Sequence, residues 1–181
     1  MSAEVTDELI RIAVDAGAAA EKYRREMLAA SDRRAEAVFA LWAEGMPVRK
    51  IAEVIGVSPS VSQRLLEKAR ESRPRLLRRE DRVSYELHRA VAAKVTVDPD
   101  PVLRKARTNL LRMTSRTRDV YAQGWVAEWD ELVNGGDISR LVESMLRPDE
   151  RGIELRQMTP FAGVLSQDER LVAIHKAARA A

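Results

Sequence analysis

The feature that most constrains the fold of this chain is a pair of short helical patterns joined by a tight turn within residues 45–70. The apolar residues of the first pattern recur at helical spacing, at Val48, Ile51 and Ile55. Gly56 follows, and glycine adopts the left-handed conformation at a helix C-terminus without strain. Ser58 and Pro59 are typical of the capping position and first turn of a new helix. The sequence therefore predicts two helices that cross at a short turn.

Residues 45–70 resemble the helix-turn-helix of bacterial and phage transcriptional regulators, and residues 33–44 are expected to add the preceding helix. In the usual pattern an apolar residue falls six positions after the turn glycine, but here that position is Ser62 and Val61 comes one place early. Either the turn is one residue shorter, or Val61 and Leu65 pack as a pair on a slightly rotated helix. The alternative to a DNA-binding motif is an ordinary helical hairpin in an all-helical core.

The resemblance implies that the second helix of the motif lies in the major groove of double-stranded DNA. The residues expected at base edges are Ser60, Ser62, Gln63 and Arg64. Arginine reads guanine and glutamine reads adenine through paired hydrogen bonds. The basic residues expected at phosphates are Arg49, Lys50, Lys68, Arg70 and Arg73. Residues 45–82 carry ten basic and five acidic side chains, whereas the whole chain has a net charge of +3, so the positive excess lies where DNA binding needs it.

The composition favours a helical chain. Charged residues make up 33% of it and aromatic residues 4%, and the recurrent alanine, leucine, arginine and glutamate are strong helix formers. We therefore predict an all-α fold with an N-terminal helix-turn-helix unit followed by a C-terminal helical domain. The predicted boundaries are residues 1–72 for the N-terminal domain, 73–82 for an arginine-rich basic linker, and 83–181 for the C-terminal domain.

Several classes of function are disfavoured by what the sequence lacks. It has no cysteine, no glycine-rich phosphate loop, no nucleophile motif and no metal-spaced histidine cluster, so we expect neither an enzyme with catalytic residues nor a metal or cofactor. No apolar run approaches the roughly 18 residues of a membrane span, so no membrane partner is expected. The acidic start of the chain lacks the basic residues of a secretory signal, which predicts a cytoplasmic protein.

The first thirty residues have an apolar seam at alternating spacings of three and four. Its members are Val5, Leu9, Ile12, Ala16, Ala19, Tyr23 and Met27. Either one long helix runs through residues 6–44, or two helices meet near Ser31, where Asp32 would help to cap the second. The seam either folds back on its own chain or forms a homodimer through residues 5–30.

The C-terminal domain is predicted to contain six helices, over residues 84–95, 102–115, 119–132, 137–146, 148–156 and from Ser166 onward, with Glu169 completing a capping box. Trp125 and Trp129 share a helical face with Tyr121, which predicts core packing, with a docking surface as the alternative. Phe161 is predicted to close the domain as a loop plug.

A second basic stretch is a candidate for further DNA contacts. Its residues are Arg104, Lys105, Arg107, Arg112, Arg116 and Arg118. An acidic block follows, at Asp119, Glu128, Asp130, Glu131 and Asp137. Either the two blocks pair with each other within the domain, or the basic stretch forms a second phosphate-binding surface.

Residues 155–166, with Glu169 and Arg170 after them and residues 88–90 before, are similar to the C-terminal halves of some bacterial regulators that are paired with toxins. The resemblance implies an autoregulated antitoxin whose C-terminal domain holds a protein partner. We therefore expect sequence-specific binding of double-stranded DNA by a transcriptional repressor or antitoxin. The alternative is a protein-interaction module whose C-terminal domain binds a toxin or other partner, with DNA binding auxiliary.

Overall fold

The computed structural model describes residues 3–117 and 119–180, and over these residues it contains nine helices and no strand. The predicted all-α fold is therefore confirmed for this part of the chain. The helices divide between two compact units, Met1–Ser72 and Arg73–Ala181.

The first unit contains three helices: α1 (Ala3–Ala43), α2 (Val48–Val54) and α3 (Pro59–Glu71). Only the C-terminal quarter of α1 joins α2 and α3 in the core of this unit. The buried apolar residues there are Ala35, Val38, Phe39, Ala43, Ile51, Ala52, Leu66 and Ala69. α1 runs without a break through Ser31, so the helix is single, and Asp32 does not start a new one; instead Asp32 pairs with Lys68 of α3 at 2.8 Å.

The turn between α2 and α3 has the hydrogen bonds of a Schellman motif. The Val57 N–H donates to the Ala52 carbonyl at 2.9 Å, and the Gly56 N–H donates to the Glu53 carbonyl at 3.3 Å. Gly56 has a φ of +68°, the left-handed conformation that only glycine adopts readily. The Ser58 hydroxyl then accepts from the Val61 N–H, so the glycine and the serine cap occupy the positions that the sequence assigned to them.

The second unit contains six helices: α4 (Arg79–Val97), α5 (Pro99–Arg116), α6 (Val120–Asn134), α7 (Ile138–Met145), α8 (Glu150–Gln157) and α9 (Gln167–Arg179). α4 is central, because it packs against α5, α7, α8 and α9. Trp129 is fully buried among these helices, and its indole N–H donates to the Leu155 carbonyl at 2.9 Å. Phe161 is buried edge-to-face against Trp129, as predicted for a plug of this domain.

The predicted linker at residues 73–82 is shorter than expected, because only residues 73–78 lie outside the helices. α4 begins at Arg79, four residues before the predicted start of the C-terminal domain, and Arg73 is buried in the second unit. The break before α5 is also shorter than expected. It is confined to Asp98, because Pro99 occupies the first turn of α5, where a missing N–H costs nothing.

Candidate nucleic-acid interface

The buried side of α3 is set by Ser62, Leu66 and Ala69, which lie at positions i, i+4 and i+7 of the helix. Ser62 is fully buried, and its hydroxyl has no hydrogen-bond partner among the described groups. The turn therefore keeps its usual length, and a serine occupies the usual apolar position. Val61 and Leu65 are only half-buried. The prediction that Ser62 contacts bases is wrong for this structure, since its side chain faces the core.

The opposite side of α3 presents the remaining predicted base-contacting residues, Ser60, Gln63 and Arg64, all of them exposed. Ser60 and Arg64 lie one turn apart, which places both side chains on the outward stripe of the helix. The Gln63 amide nitrogen donates to a Glu67 carboxylate oxygen at 3.1 Å. The outward face therefore offers a hydroxyl, an amide and a guanidinium that make no contact with the core.

Glu67 is a member of this face that sequence reasoning missed. It lies seven positions after Ser60 and three after Arg64, so it shares their stripe, and it is exposed. A carboxylate accepts a hydrogen bond from the amino group of cytosine in the major groove. The bond to Gln63 also holds that amide in one orientation. The signal in the sequence was the i, i+4 spacing of Gln63 and Glu67.

Four of the five predicted phosphate-contacting residues are exposed in the first unit. Arg49 and Lys50 lie on α2, where Lys50 pairs with Glu53 at 3.0 Å. Lys68 pairs with Asp32 of α1, and the guanidinium carbon of Arg70 lies 5.8 Å from the centre of the Trp42 ring. These contacts hold the long side chains close to the body of the unit while their charged ends remain at its surface.

Arg73 is the exception among the predicted phosphate contacts. Its Nε donates to a Glu86 carboxylate oxygen at 2.6 Å, and both side chains are 3% exposed. A buried guanidinium in a two-point ion pair is already neutralised, and it has no access to a phosphate. The prediction for Arg73 is therefore wrong, because this arginine anchors the start of the second unit to α4.

The second basic stretch lies on α5. Arg104, Lys105, Arg107, Arg112 and Arg116 are all exposed, and Arg118 lies outside the described residues. Lys105, Arg112 and Arg116 follow one side of the helix at positions i, i+7 and i+11. Arg107 is on another side, where its Nε donates to the Asn134 side-chain oxygen at 2.9 Å.

The acidic block makes its described contacts elsewhere. Glu128 pairs with Arg151, and Glu131 pairs with Arg140 at 2.9 Å. The Asp119 and Asp137 side chains cap α6 and α7. Among the described ion pairs, none joins this block to the basic residues of α5. The basic side of α5 is therefore not neutralised by the acidic residues that follow it in sequence.

The three aromatic residues of α6 have different environments. Trp129 is in the core, as predicted, and Trp125 is half-buried, with the Arg151 guanidinium carbon 4.9 Å from the ring centre. Tyr121 is 85% exposed, so the core prediction is wrong for it. Val120 and Tyr121, together with Trp125, line a shallow hollow of about 340 Å³ on the surface.

No group of three or more histidine, aspartate or glutamate side chains is placed to hold a metal ion in the parts of the chain that the structure describes. Within the same residues, every helix is too short or too polar to cross a membrane. Comparison of the chain with protein-family models, with curated proteins and with solved structures found no match.

Proposed function

We propose that the chain is a sequence-specific double-stranded DNA-binding protein that acts as a transcriptional repressor or an autoregulating antitoxin. The observation that carries the proposal is the outward face of α3, where Ser60, Gln63, Arg64 and Glu67 are exposed after a tight glycine turn and a capped helix start. A helix held in this way can enter the major groove with its N-terminal residues at base edges.

The charge around α3 supports the same function. Arg49, Lys50 and Arg70 are exposed within the same unit and fit contacts to phosphates, which position a protein without reading sequence. Lys68 would exchange its exposed pair with Asp32 for a phosphate at little cost, because exposed ion pairs contribute little stability. The side of α5 that carries Lys105, Arg112 and Arg116 is a second candidate phosphate surface.

Self-association through α1 is the second part of the proposal. Val5 and residues 7–30 are exposed, including apolar side chains such as Leu9, Ile12 and Met27. We propose that these exposed apolar side chains pack against a second copy of the chain. Residues 7–15 carry three acidic and one basic side chain, and residues 21–34 carry five basic and three acidic ones, so two antiparallel copies place unlike charges opposite each other.

The deciding experiment selects fragments from random duplex DNA with the purified full-length protein and sequences them. We expect an enriched site, and replacing Gln63 or Arg64 by alanine is expected to weaken binding to it by about 1–3 kcal/mol. Arg140→Ala is the matched control, because Arg140 is an exposed arginine of α7 in the other unit. If no sequence is enriched, or if folded Gln63 and Arg64 variants bind as the control does, the proposal fails.

A second candidate function, a protein-interaction module, is favoured by the exposed Val120 and Tyr121 beside Trp125. Exposed aromatic residues in a shallow hollow are typical of partner-binding surfaces. A photoreactive amino acid at position 121 tests this function, with position 77 as the control because Leu77 is 95% exposed. Crosslinking of one cellular protein at position 121 and not at position 77 would support it, and equal labelling would reject it.

A further inference from the structure

The second unit contains a cavity of about 500 Å³ that the DNA-binding proposal does not use. It is formed by α4, α9 and the segment that follows α8. Its wall is mainly apolar, with Val83, Leu87, Val91, Phe161, Leu165 and Ile174. A volume of this size and an apolar wall with a few polar groups are typical of small-molecule sites.

The charged groups at the cavity are mostly cationic. Arg79, Arg156 and Arg170 line it, and Glu80 is the one carboxylate among its described lining residues. Arg79 and Arg170 are exposed at the rim, and neither makes a described hydrogen bond or ion pair. The residues that line the cavity therefore carry a net positive charge, and the carboxylates of Asp81 and Asp149, which interact electrostatically with Arg156, are not among them.

Arg156 is the most informative of these groups, because the residue is only 2% exposed. Its Nη1 donates to the carbonyls of Met145 and Arg147, at 3.2 and 2.6 Å. Its Nε and Nη2 are buried and have no partner among the described groups. The guanidinium lies over the Tyr85 ring, 5.5 Å from its centre. Buried donors on a charged group are costly when they lack an acceptor, so an acceptor supplied by a ligand would be strongly favoured.

The His88 ring and the Thr159 hydroxyl, which also line the cavity, form hydrogen bonds within the protein. His88 Nδ1 lies 2.7 Å from the Ser84 carbonyl, so this nitrogen donates, and Nε2 accepts from the Thr159 hydroxyl at 2.8 Å. Burial lowers the pKa of His88 to about 4, so the imidazole is neutral at pH 7. The positive charge in the cavity therefore comes from its arginines.

We propose that this cavity binds a small organic carboxylate: an anionic group held by Arg156 and the rim arginines, on an apolar body that packs against α4 and Phe161. A carboxylate has two acceptor oxygens, which match the paired donors of a guanidinium. The apolar wall requires the remainder of the ligand to be largely hydrocarbon. This inference is independent of the proposed DNA-binding function.

The test uses the full-length protein and four probes: octanoate, 4-phenylbutyrate and the neutral amide of each. Binding is followed by calorimetry and by methyl NMR of Leu87, Val91 and Ile174, which report the wall of the cavity. We expect at least one acid to shift these methyl signals at about 5 mM or below, and its amide to bind at least about tenfold more weakly. No shift with either acid, or equal affinity for acid and amide, overturns the proposal. Inorganic phosphate that binds as tightly as the acids overturns it too, because that would show an exposed anion site without an apolar ligand.

Variants of the arginines test which of them bind the carboxylate of the ligand. Arg156→Gln is expected to weaken binding of the acid by about tenfold or more and to leave the amide unchanged. Arg156 also donates to the carbonyls of Met145 and Arg147, so Arg156→Gln removes structural hydrogen bonds as well. The double variant Arg79→Gln and Arg170→Gln therefore provides a second test, because it changes only the exposed rim. Arg151→Gln on α8 is the control, since Arg151 faces Trp125 outside the cavity. Equal acid binding by the rim variant and the control would overturn the proposal.

Discussion

At the scale of single residues, the burial and the partners of Arg73 and Arg156 were the hardest features to predict from the sequence. The position of Arg73 in a basic stretch predicts a contact with a DNA phosphate. Nothing in the sequence shows that Glu86, thirteen residues later, is its partner. Arg156 meets Met145, Arg147 and Tyr85 only after the second unit has folded. Charge patterning identifies basic segments, but it does not distinguish a solvated arginine from one that is buried in an ion pair.

The Arg73–Glu86 pair gives the first prediction. Arg73→Met leaves a buried carboxylate without its partner, and we expect it to lower the free energy of unfolding by about 3 kcal/mol. Arg73→Met combined with Glu86→Leu removes both charges and is expected to recover much of this loss. Arg75→Met is the control, because Arg75 is exposed, and urea unfolding measures all three variants. A single variant as stable as the control would show that the pair does not anchor the unit.

The buried His88 predicts a dependence of stability on pH. Because burial lowers its folded-state pKa from 6.5 to about 4, the unfolded chain binds the proton more tightly between these values. The free energy of unfolding therefore falls as the pH drops from about 6.5 toward 4, by an amount of about 3 kcal/mol for complete protonation. The hydrogen bond from Lys94 lowers the pKa of the Glu169 carboxyl from 4.5, so its contribution to stability begins to fall only near pH 4.5, at the acid end of this window.

The measurement is urea unfolding of the parent protein and of His88→Gln at pH 7 and at about pH 4.5. The parent is expected to lose more stability than the variant over this interval, whatever the effect of the substitution at pH 7. Equal losses in the two proteins would mean that His88 is protonated in the folded state.

At the scale of helices, capping residues decided how well the sequence predicted each boundary. Ser166 and Glu169 form the expected capping box of α9, and α6, α7 and α8, which begin after aspartate caps, start within two residues of their predicted positions. The start of α4 was missed because its N-cap, Arg78, makes no side-chain capping bond. The register of α3 was ambiguous because Ser62 occupies a core position that an apolar pattern does not reveal.

Gly56 provides a prediction about the turn between α2 and α3. An added Cβ meets no atom within 4 Å, so Gly56→Ala is destabilising only through its φ of +68°. We expect a loss of about 1 kcal/mol. Gly124→Ala is the control, because Gly124 lies inside α6 with open space around it and is expected to gain about 0.5–1 kcal/mol. Thermal unfolding separates the two, and a neutral Gly56→Ala would contradict the left-handed turn.

At the scale of the whole molecule, the helical seam of residues 5–30 was correctly assigned to a helix, but the sequence did not tell whether that helix packs on its own chain. The structure places it in the exposed part of α1, with Leu9 52% and Met27 65% exposed. Apolar periodicity shows which side of a helix requires a partner and leaves the partner unspecified. The unlike charges of its two halves are what favour an antiparallel second copy.

The last prediction tests this pairing by exchanging charges. Arg24→Glu with Arg25→Glu places acidic residues opposite the acidic N-terminal half of a second antiparallel copy, so the dissociation constant of the dimer is expected to rise above that of the parent, most strongly at low salt, where the repulsion is least screened. Adding Asp7→Lys and Glu8→Lys restores unlike charges and is expected to restore the dimer. Sedimentation measures the association of each variant. In a separate experiment, removal of residues 1–30 is expected to give a monomer that binds DNA more weakly. A dimer that binds DNA symmetrically would also select a palindromic site. If the intact protein sediments as a monomer at micromolar concentration, or if the fourfold variant associates no better than the double one, antiparallel pairing of α1 is wrong.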